Sequence, residues 1–111
     1  MGTTTVKFAS SFHEVYTVND VTNYEYTQEF DVSSLSALLI GLKVTAGNND
    51  VRVRFETKIG EDWYSFSSEA ITTANSTTTY FNHFNSEMFG THIRFGLKGI
   101  GNVTINMVMK K

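Results

Sequence analysis

The sequence predicts an all-β domain, an antiparallel β-sandwich of jelly-roll type with about eight or nine strands. Three observations predict it. Apolar and polar residues alternate with period two along most of the chain, turn residues interrupt that alternation at hairpin intervals, and strand-forming residues dominate. Nine Phe, five Tyr, one Trp and many Thr and Val outweigh the helix formers.

Alternation is first clear in Tyr24-Glu25-Tyr26-Thr27-Gln28-Glu29-Phe30-Asp31-Val32. Here Tyr24, Tyr26, Phe30 and Val32 are expected on one face and Glu25, Thr27, Glu29 and Asp31 on the other. Asp31 or Ser33 could cap a short helical turn before Ser36. The segment from Leu38 to Thr45 is apolar on both faces, as in a strand covered on each side or at an oligomer contact.

In Val51-Arg52-Val53-Arg54-Phe55-Glu56-Thr57-Lys58, the residues Val51, Val53 and Phe55 are expected inward and Arg52, Arg54, Glu56 and Lys58 toward solvent. Ile93-Arg94-Phe95-Gly96-Leu97-Lys98 follows the same rule, and Val103 to Met109 closes the chain as a terminal strand. Turn signals stand at 46–50, 59–62, 74–77, 85–87 and 99–102. The expected strand segments run near 5–9, 12–18, 24–32, 37–45, 51–59, 62–67, 69–73, 78–84, 92–98 and 102–109, the shorter ones the most weakly marked.

At 111 residues the chain is expected to form one sandwich domain over 1–111, with Thr3-Thr4-Thr5 suggesting a flexible start at 1–5. Area scaling for this mass gives about 6,200 Å² folded against about 18,000 Å² unfolded, enough burial to need no staple. The absence of cysteine removes disulfides and thiolate sites, and the absence of proline removes one common guard of exposed sheet edges. Edges must then be protected otherwise, or covered by a partner.

The first eleven residues lack the apolar run of a signal peptide, and the longest apolar stretch, 38–42, is far short of a membrane span of about 20 residues. A soluble protein made in a cytoplasm is expected. A net charge of −2 spread along the chain argues against a nucleic-acid surface, which needs a clustered basic face.

Residues that could carry chemistry are present but not assembled. His13, His83 and His92 fall in three different strands without metal-ligand spacing, so no metal or cofactor is expected. Glu25, Glu29 and Asp31 share one strand face, and Glu61-Asp62 lies in a turn, which is not a catalytic carboxylate pair. Asn48-Asn49-Asp50 lacks the ligand pattern of a calcium loop. Gly96-x-x-Gly99-x-Gly101 has no helix after it to form a phosphate cradle. No catalytic residue is assigned, and a non-enzyme is expected.

Two aromatic stretches remain. In Gly60-Glu61-Asp62-Trp63-Tyr64-Ser65-Phe66 one large aromatic is expected to face outward, so Trp63 and Tyr64 are candidates for stacking on a sugar or a partner. Tyr80-Phe81-Asn82-His83-Phe84, followed by Met88-Phe89, carries more apolar surface than the inner faces of one small sandwich use.

The order of the strand 26–32, the apolar strand 38–44, the hairpin from Val51 through Tyr64, the strand 93–98 and the closing 103–110 resembles small β-sandwich virion proteins of tailed bacteriophages, of the capsid decoration or cement type or tail accessories. The resemblance is a pattern of residue types over most of the chain. It implies a structural protein of the virion that forms a homo-oligomer, often a trimer, and meets the major capsid protein or other virion proteins without chemistry. Leu39, Phe81, Phe84 and Phe89 are the expected contact residues. The hairpin ending in Asp62-Trp63 also resembles those of carbohydrate-binding sandwiches, which would use Trp63 or Tyr64 as the platform.

Overall fold

Three of the seven described strands run through both layers of the molecule, and the bending of the two longest makes the sandwich. The computed structural model describes residues 9–66 and 68–111. Its strands are β1 (Ala9–Tyr26), β2 (Phe30–Asp31), β3 (Ala37–Ile59), β4 (Asp62–Ser65), β5 (Ala70–Thr72), β6 (Thr77–Asn85) and β7 (His92–Lys110). All pairings are antiparallel.

The expected all-β antiparallel sandwich is what the chain forms, but two pairs of expected strands are fused and a third strand is extended. Segments 37–45 and 51–59 are one strand, 92–98 and 102–109 another, and 12–18 continues to Tyr26. The signals at 46–50 and 99–102 are bends, not hairpin turns. Because β3 and β7 pair along their whole lengths, both bend at the same level. The strand expected at 5–9 and the flexible start at 1–5 lie outside the described residues, apart from Ala9.

Leu38 and Phe55 lie 17 residues apart on β3, a span of about 56 Å in a straight strand. Yet Phe84, paired with Leu38, has its ring 5.1 Å from that of Phe55. The longest dimension of the molecule is only 42 Å. The strand therefore folds over, giving a front layer of β1 (9–20), β7 (101–110), β3 (37–45) and β6, and a back layer of β3 (51–59), β7 (92–98), β2, β4, β5 and the end of β1.

The two strands turn this corner differently. In β3, register shifts between Ala46 and Arg52 change the parity of the core face, from Leu38, Ile40, Leu42 and Val44 to Val51 and Val53. In β7 the core residues stay odd-numbered, and Gly99 and Gly101 take φ of 130° and 157°. A Cβ at either position would overlap a backbone carbonyl of β3, that of Asp50 or Thr45.

The segment 24–32 is corrected. Pairing breaks after Tyr26, and Thr27 is buried, its N donating to Phe95 O at 2.9 Å and its Oγ1 accepting from Phe95 N at 3.1 Å. That break lets Phe30 and Val32 enter the core while Tyr24 and Tyr26 lie across the outside of the back layer. Asp31 does accept from Ser33 N at 3.0 Å, but it closes a turn and no helix follows.

Candidate functional site

The residues that could carry chemistry stay apart. His13 and His83 share the outer face of the front layer, but they stand three strands and one row from each other, roughly 16 Å. His13 Nδ1 is hydrogen-bonded to Asn106 Oδ1, and His92 Nδ1 lies 2.9 Å from Thr91 Oγ1 on the other half of β7. Asp50 Oδ1 accepts from Ala74 N at 2.8 Å, tying the bend of β3 to the corner between β5 and β6. Gly99 and Gly101 are filled by β3. Among the described residues no group of three or more His, Asp or Glu is placed to hold a metal, and no helix is long and apolar enough to cross a membrane.

Charge is concentrated instead on the outer face of the back layer. Arg52, Arg54 and Glu56 were expected to face solvent; they face outward, but Glu56 is only 5% exposed. The covering residues come from elsewhere: Tyr24 and Tyr26 from the end of β1, Trp63 from β4 and Glu69 from the segment before β5. Arg94 Nε donates to Glu56 Oε1 at 2.8 Å, and its guanidinium lies between the rings of Tyr26 and Trp63, at 4.0 and 4.2 Å.

The pattern continues along the sheet. Arg54 lies 4.0 Å over the Tyr24 ring, and Lys98 Nζ is 4.7 Å from the same ring. Glu69 Oε2 accepts from Tyr24 OH at 2.6 Å and from Arg54 Nε at 3.3 Å, while Oε1 lies 3.5 Å from Arg52. The Tyr24 bond, followed by those of Arg54, holds the Glu69 carboxyl below its ordinary range against burial, which pushes it up. Burial and Glu69 together push the Tyr24 hydroxyl up. Gly96 lies beneath both tyrosine rings, where a Cβ would stand 3.0 Å from Tyr26 Cε1 and 3.2 Å from Tyr24 Cδ1.

The outer face of the front layer has a different character. Pairing sets His13, Asn106, Gly41 and Phe81 in one row across the sheet, with Ser11, Val108, Leu39 and His83 in a row on one side and Val15, Thr104, Lys43 and Thr79 on the other. Phe81 is 67% exposed beside a glycine, and Val15 is 55% exposed. Leu39 is half-buried and Val108 exposed on the same face. The edge strand β6, Thr77 to Asn85, contains no charged residue.

Between the layers, where β6 faces the segment leading to β5, lies a cleft of about 340 Å³. Phe55, Phe66, Phe84 and Phe95 form its aromatic wall, with Tyr80 and Asn82 also lining it. Tyr80 OH donates to Ile71 O at 2.7 Å, linking β6 to β5 beside it.

The six residues singled out in the sequence thus separate. Leu39 and Phe81 share the outer face of the front layer. Phe84 turns inward onto Phe55 and Phe66, and Phe89 packs against the core. Trp63 presents one ring face to Arg94, and Tyr64, on the opposite side of β4, is 52% exposed. Trp63 and Tyr64 therefore form no coplanar platform. The alternation rule could not find the Glu56–Arg94 pairing or the Phe81–His13 row, because both depend on strand register.

No protein-family model and no curated protein matches the chain. Solved structures do share its fold. A subunit from work on Bacillus endospore appendages, described there as a novel family of disulfide-linked pili, matches with a TM-score of 0.58 at 11% identity, over 92% of this chain and 86% of that one. The SPBc2 prophage-derived protein YomS matches with a TM-score of 0.53 at 12% identity, over 98% and 100%. A structure from work on CBM4 structure and function matches with a TM-score of 0.53 at 12% identity, over 89% and 71%. At these identities the likeness is one of fold.

Proposed function

We propose that the chain is a non-enzymatic structural protein of a phage virion, a capsid decoration or cement protein that stabilises the shell through protein–protein contacts. The observation that carries this is the outer face of the front layer, where exposed Phe81 and half-buried Leu39 lie beside an uncharged edge strand. Such a surface gains by burial against protein. The whole-chain likeness in fold to a prophage-derived protein and to a pilus subunit is in keeping with it. The partners under this reading are further copies of the chain, as in a trimer, and the major capsid protein; its place is the virion, and it uses no metal or cofactor.

The test is the composition and strength of the particle. Mass spectrometry of virions purified from the phage that encodes the chain should find it in fixed ratio to the major capsid protein, and virions lacking it should release DNA at lower temperature. Its absence from purified particles would overturn the proposal.

A second reading, carbohydrate binding, has one observation in its favour. The cleft presents aromatic faces together with Tyr80 and Asn82, the combination a sugar ring requires. Chemical-shift changes at Phe66 and Asn82 on titration with oligosaccharides, abolished in Phe66→Ala, would support it; unchanged spectra at millimolar sugar would remove it.

A further inference from the structure

We infer that copies of this chain join edge to edge, β6 of one adding to β1 of the next, with Phe81 seated on His13 and Val15 of the neighbouring copy. This rests on the structural reading above and deepens it by naming the self-contact. Three independent features of the front layer carry it.

The first is that both edges are unpaired among the described residues: β6 pairs only with β3, and β1 only with β7. An edge strand displays unpaired N–H and C=O groups that template a further strand, and proteins that remain monomeric usually blunt such an edge with lysine, proline or an inward charge. The nine residues of β6 carry none of these, and residues 9–17 of β1 carry one charge, Glu14, on the side of Phe12 and Tyr16, where it accepts from Tyr16 OH at 3.2 Å.

The second is that the two edges match in level and direction. One row runs Asn85, Ala37, Lys110, Ala9, and another runs Thr77, Thr45, Asn102, Thr17, so β6 spans the same nine rows as residues 9–17 of β1. Each step across the layer is antiparallel, and β6 therefore runs opposite to β1. A second copy moved sideways along the sheet brings its β1 antiparallel to β6 without rotation.

The third is the side chains that would then meet. Phe81 occupies the row of His13 and is the diagonal neighbour of the row of Val15. In the joined sheet it lies opposite the neighbour's His13 and beside its Val15, covering the two apolar side chains that are most exposed on this face. The contact is heterologous: the donating and accepting edges differ, so it closes into a ring or continues as a chain of copies.

The test uses two variants of the full chain, Phe81→Lys and Val15→Lys, each first shown by circular dichroism to melt within a few degrees of the wild type. Light scattering across a dilution series should show a wild-type oligomer and monomers of each variant. Mixing the two variants should restore a species of twice the monomer mass and no larger, because one intact β6 edge then meets one intact β1 edge. A wild type monomeric at every concentration overturns the inference while leaving the virion assignment to be decided by particle composition. A Val15→Lys protein that still forms dimers also overturns it, since β6 would then be pairing with β6.

Discussion

Arg94 Nε donates to Glu56 Oε1 at 2.8 Å at a place where 5% of Glu56 reaches solvent, so the two form an ion pair under a roof of aromatic rings. Tyr26 and Trp63 enclose the guanidinium from either side, and Arg54 Nη1 lies 3.7 Å from the other carboxylate oxygen. The arrangement joins three distant parts of the chain: the end of β1, the β3–β4 hairpin and the first half of β7.

Removing the carboxylate should therefore be costly. Breaking a fully buried pair destabilises by about 3–5 kcal/mol, but Arg94 and Arg54 keep partial access to water, which lowers the penalty. Glu56→Ala should destabilise by about 2–3 kcal/mol in urea unfolding. A change below about 0.5 kcal/mol would mean that the pair behaves as an exposed one.

The roof depends on a missing side chain. Because Tyr24 and Tyr26 lie directly on Gly96, Gly96→Val should lift both rings, loosening Tyr24 from Arg54 and Tyr26 from Arg94. Trp63 is the only tryptophan, so its emission reports on the change. A shift toward longer wavelength and a loss of about 1–3 kcal/mol are expected, as for overpacking. An unchanged spectrum would show that Trp63 does not depend on the tyrosines.

Much of the fold was legible from period two alone, since the inward sets of the second half of β3 and of β7 are those the alternation marks, whereas 38–45 read as apolar on both faces. What alternation does not convey is what covers the outward set. Arg54 and Glu56 read as solvent-facing because their covers, Tyr24 and Tyr26, lie some thirty residues earlier and only register brings them together. The bends are hidden for a related reason. A hairpin turn and a bulged bend use the same Gly and Asn residues, and the choice depends on whether the partner strand bends at the same level, as β7 does beside β3. Phe81 and Phe84 differ by three positions and so face opposite sides, yet nothing local says which side is the core.

Acid should weaken the same face. The Glu69 carboxyl is held below its ordinary value of 4.5, first by Tyr24 OH and then by Arg54. A depressed folded value means that the unfolded chain takes up protons more readily, so the stabilisation is complete above 4.5 and is lost as pH falls through the lower folded value. Stability measured by urea unfolding should fall with pH below about 5, and less steeply in Glu69→Gln. Asp20 and Asp31 are also lowered, by hydrogen bonds from Asn23 and Thr22 and from Ser33, so some acid sensitivity should persist in the variant. Equal slopes for the two proteins would show that the Tyr24–Glu69 bond contributes nothing to folding.

The bend makes the strictest demand on sequence, and two glycines separate its causes. Gly60 has φ of 68° with no atom near an added Cβ, so Gly60→Ala tests backbone conformation alone and should cost about 1 kcal/mol. Gly99 has φ of 130°, and its added Cβ would also strike the Asp50 carbonyl. Relief there requires β7 to move away from β3 at the corner both strands turn together, so Gly99→Ala should cost about 3 kcal/mol or more. Equal midpoint shifts for the two variants would mean that the corner yields freely. A much larger shift for Gly99→Ala would show that close backbone contact between β3 and β7 is what holds the two layers in their folded relation.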